Sequence, residues 1–155
     1  MNATVHWGRR AGDALTAVGV TGVLLSAAVH LQLWAEGLGS GTVIGPLFLL
    51  NAAGGLAIGL AALLWRHWLP VLAVLGFGVA TLAAFWLSVT VGLFGFHETA
   101  DGVPQLLCEI AELVAAACAL AVLAVRRAES HRPSAHRADT RRAEPRRVES
   151  SGGTA

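Results

Sequence analysis

The sequence has few charged residues and contains neither lysine nor tyrosine. Charged residues make up 14% of its 155 positions, against ~25% in a typical soluble domain. Hydrophobic residues make up 55%, so the composition excludes an ordinary soluble domain and indicates a membrane protein. Every basic residue is an arginine, which together with the excess of Ala, Gly, Val and Leu predicts a bacterial protein from a GC-rich genome.

Cysteine is also scarce. Cys108 and Cys118 lie in one apolar run, and on a helix they would be ~15 Å apart, too far for a disulfide. The CxxC, HExxH, GxSxG, GxGxxG and P-loop patterns are absent from the sequence, which argues against the common soluble enzyme chemistries. We therefore predict no cofactor, and a non-enzymatic function is favoured.

Four long apolar stretches are present, each with at least the ~20 residues that a helix needs to cross a bilayer. They predict an all-α fold, a bundle of four transmembrane helices, with spans at residues 14–35, 43–65, 69–94 and 103–125.

Arginine marks one end of every predicted span. Arg9 and Arg10 precede the first span, Arg66 separates the second from the third, Arg126 and Arg127 follow the fourth, and the other two loops contain none. By the positive-inside rule, both termini, including residues 1–13, are predicted to be cytoplasmic in a bacterial plasma membrane. A cleaved signal peptide is an alternative for the first span, and it would leave three spans in the same orientation.

The C-terminal segment, residues 126–155, holds eight arginines, four acidic residues and two prolines. Its low hydrophobicity predicts a disordered, basic cytoplasmic tail that can contact anionic lipids. The acidic residues dilute its charge and it has no aromatic residue, which argues against nucleic-acid binding.

The polar residues of each span share a helical face with small residues, and such faces mark helix–helix contacts. Depth counting at ~1.5 Å per residue puts several of them within ~6–14 Å of the outer surface. We predict one polar cluster there, with candidate ion, proton or ligand contacts at His30, Asn51, Ser88, Gln105, Glu109 and Glu112.

The two glutamates are the least expected members of the cluster. An ionised carboxylate near the bilayer centre costs at least ~2.5 kcal/mol, so Glu109 and Glu112 must be neutral, paired or hydrated. They can share a proton, and His30 is the ionisable residue in another span that could pair with them.

Three functional hypotheses follow. The leading one assigns the cluster to helix packing or assembly, since interhelical hydrogen bonds are common in membrane bundles. The alternative is a small transporter, or an ion- or proton-coupled protein, that uses Glu109 and Glu112 with His30. The third is a metal- or haem-binding redox subunit, with weak metal candidates at His30, Cys108, Glu109 and Glu112, and with His97 as a second haem ligand.

Two surfaces suggest contacts beyond the bundle. Ala111, Ala115 and Ala119 form a small-residue row that could join two copies in a homo-oligomer. Glu98 and Asp101 belong to the outer "HETAD" loop, which is either a plain polar turn or an element that concentrates cations near the cluster.

Three segments, "AVHLQLW", "IGPLFLLNAAGG" and "GLFGFHE", carry a resemblance to a known group. Over residues 14–125 the pattern resembles small four-helix integral membrane proteins of actinobacteria that have no assigned function. The resemblance implies a plasma-membrane protein, and it transfers no catalytic residue.

Overall fold

The computed structural model describes residues 3–130, with side chains from residue 10 onward, and this part of the chain folds into four α-helices. The helices are α1 (Ala3–Ala35), α2 (Ile44–Leu64), α3 (Trp68–Thr90) and α4 (Val103–Ser130). All four are long and apolar enough to cross a membrane. The predicted all-α fold with four membrane-length helices is confirmed, and it is compatible with a multi-pass membrane protein.

The helix bounds differ from the predicted spans at three places. Helix α3 ends at Thr90 rather than at 94, because Gly92, Phe94 and Gly95 have φ angles of 81°, 51° and 80°, which a right-handed helix cannot contain. Helix α1 begins at Ala3 rather than at 14. Helix α4 continues to Ser130, so residues 126–130 are helical, while the rest of the predicted disordered tail, 131–155, lies outside the described residues.

The helices are unequally packed around the bundle. Helix α1 packs extensively on α2 and α4, and α4 packs extensively on α3, whereas α2 and α3 contact each other much less. The order around the bundle is therefore α2, α1, α4, α3, with a loose seam where α2 and α3 meet.

Glycines set how closely α4 approaches its two neighbours. A Cβ at Gly22 of α1 would collide with the carbonyl oxygen of Ala111, and a Cβ at Gly78 of α3 would lie 2.8 Å from the carbonyl oxygen of Glu112. Both glycines are buried, as the small-residue faces predict. The backbone of α4 is consequently held between α1 and α3 at the level of Glu112.

The alanine row that the sequence suggests for contact between two copies packs against α1 of the same chain instead. Ala111, Ala115 and Ala119 are buried, and Ala111 and Ala115 face Gly22 of α1. The row does not offer a surface for a second copy, because α1 already covers it.

The two ends of the bundle differ in charge. At one end Arg66 Nη2 contacts Asp13 Oδ1 at 2.8 Å, and Arg126 Nη1 donates to the carbonyl oxygen of His67 at 3.2 Å. The opposite end carries the loops 36–43 and 91–102. Between the ends, many large aliphatic side chains are exposed, as expected for surfaces that face lipid.

Candidate functional site

A cavity of about 460 Å³ lies between α2 and α3, in the half of the bundle next to the 36–43 and 91–102 loops. Phe48 of α2 and Phe77 and Phe85 of α3 form much of its apolar wall. Side chains from α1 and α4 close it on the opposite side. Its volume is within the ~300–1,000 Å³ range of small-molecule sites.

The structure brings the sequence-predicted residues to this one cavity. The six candidates that line it are His30, Asn51, Ser88, Gln105, Glu109 and Glu112. They come from all four helices, and they share the cavity because their helical faces turn inward at the same depth. Their hydrogen bonds, however, divide them into groups with different roles.

Glu112 is held by a buried hydrogen bond. The Ser26 hydroxyl of α1 donates to Glu112 Oε1 at 2.7 Å, and the two residues are 0% and 2% exposed. The close packing at Gly22 and Gly78 makes this short contact possible. A buried carboxyl group with a hydrogen-bond partner avoids the cost of an unsatisfied polar group, so this pair stabilises the α1–α4 contact.

Ser26 was missed as a site residue by the sequence reasoning. It lies on the small-residue face of the first span, four residues before His30, and that spacing was the available signal. Thr81 was missed in the same way, and its hydroxyl donates to the carbonyl oxygen of Phe77 at 2.7 Å.

His30 does not pair directly with a glutamate. Its Nδ1 lies 2.8 Å from the carbonyl oxygen of Ser26, so Nδ1 carries the proton and donates it to the α1 backbone. The Ser26 hydroxyl, 3.4 Å from the same nitrogen, lies between His30 and Glu112. The predicted His–Glu pair is therefore replaced by a Ser26-bridged arrangement.

Three of the four weak metal candidates come together. His30, Cys108 and Glu112 offer ligand atoms that all lie within 4.8 Å of one another, whereas Glu109 is not in this group. Cys108 Sγ is 3.8 Å from His30 Nδ1. A metal bound at Nδ1 would have to displace the hydrogen bond to the Ser26 carbonyl, whereas Nε2 carries no proton when Nδ1 does and remains able to bind a metal.

His97, the predicted second haem ligand, lies elsewhere. It is exposed in the 91–102 loop, where it packs on Gly92, and it does not line the cavity with His30.

Two side-chain amides on the cavity wall carry an oxygen without a hydrogen-bond donor. Asn51 Oδ1 and Gln105 Oε1 are buried and have no hydrogen-bond partner. Gln105 Nε2 donates to Glu98 Oε1 at 3.0 Å, and Gln105 Oε1 lies against Gly102. Within residues 10–130, the half-buried Glu109 side chain likewise makes no hydrogen bond.

The 91–102 loop covers one end of the cavity. Leu93 and Phe96 exchange backbone hydrogen bonds of 2.8 and 2.9 Å, and the Glu98 amide donates to the carbonyl oxygen of Ser88 at 3.3 Å. These bonds place Glu98 on the cavity wall, beside Gln105, whereas Asp101 does not line it.

Comparison of the chain with protein-family models, curated proteins and solved structures finds no match.

Proposed function

We propose that this is a bacterial plasma-membrane protein that transports a small cationic solute. The solute binds in the cavity between α2 and α3. Glu109 is the anionic contact, and Asn51 and Gln105 accept hydrogen bonds from the solute. The observation that carries the proposal is that Asn51 and Gln105, each with a buried side-chain oxygen that has no hydrogen-bond partner, line the same cavity as the half-buried Glu109.

Packing alone accounts for only part of the cluster. The Ser26–Glu112 bond is a packing interaction between α1 and α4. In contrast, Asn51 and Gln105 have acceptor atoms that no neighbouring helix satisfies, and each such atom costs free energy in an apolar environment. A ligand with hydrogen-bond donors would satisfy both, so binding explains the residues that packing leaves unexplained.

The charge of the wall favours a cation. Glu98, Glu109 and Glu112 line the cavity, and no arginine does so among the described residues. With the arginine-rich end in the cytoplasm, the cavity lies in the outer half of the membrane. Glu98 at its covered end would attract cations from the outer side.

The test is equilibrium binding of 2-phenylethylammonium to the protein in lipid nanodiscs, with empty nanodiscs subtracted. We expect saturable binding that Glu109→Gln weakens by about tenfold or more, because a hydrogen bond to a charged group contributes about 1.5–3 kcal/mol. Glu112→Gln should weaken it less, because the amide still accepts from Ser26.

Glu36→Gln is the matched control. Glu36 is exposed at the same end of the bundle and accepts from Gln32 Nε2 at 2.8 Å, away from the cavity, so this variant should bind like the unsubstituted protein. Absence of saturable binding, or equal affinity in Glu109→Gln, would contradict the proposal.

A further inference from the structure

We infer that the solute is an amphipathic amine, with an ammonium group that carries N–H donors and an apolar body that lies in the seam between α2 and α3. This inference rests on the proposed function and specifies the ligand class of the same cavity. Three features support it: the shortage of free donors on the wall, the apolar lining, and the open space along the seam.

The wall uses its hydroxyl donors internally. Ser26 donates to Glu112, Thr81 donates to the carbonyl oxygen of Phe77, and Ser88 donates to the carbonyl oxygen of Phe85 at 2.9 Å. His30 Nδ1 donates to the backbone and Gln105 Nε2 donates to Glu98. The Asn51 side-chain amide nitrogen makes no hydrogen bond within the described residues, so a ligand that needed to accept hydrogen bonds would find this one amide group and few other donors.

Acceptors, in contrast, are available. Asn51 Oδ1 and Gln105 Oε1 are unpartnered, and Glu109 is on the same wall. A primary ammonium group has N–H donors that Glu109 can accept, whereas a quaternary ammonium group has none. The geometry thus favours an amine over a cation without N–H groups.

Most of the remaining lining is apolar. Phe48, Phe77 and Phe85 contribute aromatic rings, and Leu47 and Ile44 contribute aliphatic side chains. A small inorganic cation would leave this surface unoccupied, whereas an apolar body would cover it and gain about 0.8 kcal/mol for each buried methylene.

The seam gives that body a place to lie. Helices α2 and α3 contact each other little, and the seam-side lining includes the small residues Gly54, Ala80 and Ala84. A Cβ built at Gly54 meets nothing within 4 Å, and Leu50, one turn before it, is 66% exposed. The cavity consequently borders the lipid side of the bundle, which an amphipathic amine can reach by partitioning into the bilayer.

The first experiment compares defined amines in the nanodisc assay. 2-Phenylethylammonium should bind about tenfold or more tightly than benzyltrimethylammonium, because the latter offers no N–H donor. Extension to 4-phenylbutylammonium should tighten binding by about fourfold for each added methylene, beyond its uptake by empty nanodiscs. Methylammonium should bind much more weakly than any of the aryl amines.

The second experiment fills the seam. Gly54→Phe adds a side chain where there is open space, and it should weaken binding of 4-phenylbutylammonium by about tenfold or more while the protein stays folded. Gly76→Phe is the control, since a Cβ at Gly76 of α3 also meets nothing within 4 Å but that residue does not line the cavity. It should leave binding unchanged.

The outcomes separate this inference from the proposed function. If cations bind in a Glu109-dependent way but quaternary and primary amines bind equally, or Gly54→Phe has no effect, the ligand class is wrong and the function stands. If no amine binds saturably, both are wrong.

Discussion

At the residue scale, two glutamates that look equivalent in the sequence have different environments. Glu112 is buried and accepts a hydrogen bond from Ser26, whereas Glu109 is half-buried on the cavity wall. Their spacing of three residues puts both on one face of α4, but Gly22 of α1 and Gly78 of α3 approach α4 most closely at the carbonyl oxygens of Ala111 and Glu112. One carboxyl group is thereby placed in a structural hydrogen bond, whereas the other makes none within residues 10–130.

Replacement of Ser26 by alanine tests the structural part. The substitution leaves a buried carboxyl group without its donor, so we expect the free energy of unfolding to fall by about 1–3 kcal/mol. The measurement is reversible unfolding in detergent, followed by circular dichroism. Thr21→Ala is the control, because Thr21 lies on an exposed face of α1 and donates only to the carbonyl oxygen of Ala17; it should change the free energy little.

A double variant identifies the cause of the Ser26→Ala effect. Ser26→Ala combined with Glu112→Leu removes both polar partners, which costs less than the sum of the two single substitutions if they are hydrogen-bonded. Strictly additive effects of the two substitutions would contradict the pairing.

At the element scale, the sequence predicts the number of helices and the inward faces, but not which helices are neighbours. Hydropathy defines the helices because each must span the hydrocarbon core, and the small-residue faces identify six of the polar residues that line the cavity, among them Asn51 and Glu109. The α2–α3 seam and the Ser26–Glu112 bond depend on the order and rotation of the helices. The order and rotation of the helices are set by contacts between residues of different helices, such as Gly22 and Ala111. The pattern within one span does not show these contacts.

The prediction at this scale concerns the close packing at Gly22. Gly22→Ala places a Cβ against the Ala111 carbonyl oxygen, so α1 and α4 must separate, and we expect a loss of about 1–3 kcal/mol in the free energy of unfolding. Gly76→Ala is the matched control, since its Cβ has open space and alanine favours a helix by up to about 1 kcal/mol. Unfolding midpoints in one detergent provide the comparison, and equal midpoints for the two variants would show that the contact is not tight.

At the scale of the whole molecule, the fold separates charge along the bundle axis. Asp13, Arg66 and Arg126 meet at one end, whereas the glutamates of the cavity lie toward the other. Since arginine-rich ends stay in the cytoplasm during insertion, the same asymmetry that orients the chain would turn the anionic cavity toward the outer face.

The orientation is testable with reporters at the two ends. Alkaline phosphatase folds into an active enzyme only outside the cytoplasm, so it should be active when inserted in the 36–43 loop. Green fluorescent protein should fluoresce when fused after residue 155. The reverse pattern would place the cavity on the cytoplasmic side and contradict uptake of cations from outside. Arg66→Glu should weaken the preference for this membrane orientation without reversing it, because Arg126 and Arg127 still mark the same end. If that single substitution inverted the protein, the orientation would depend on the 65–67 turn alone rather than on the whole arginine-rich end.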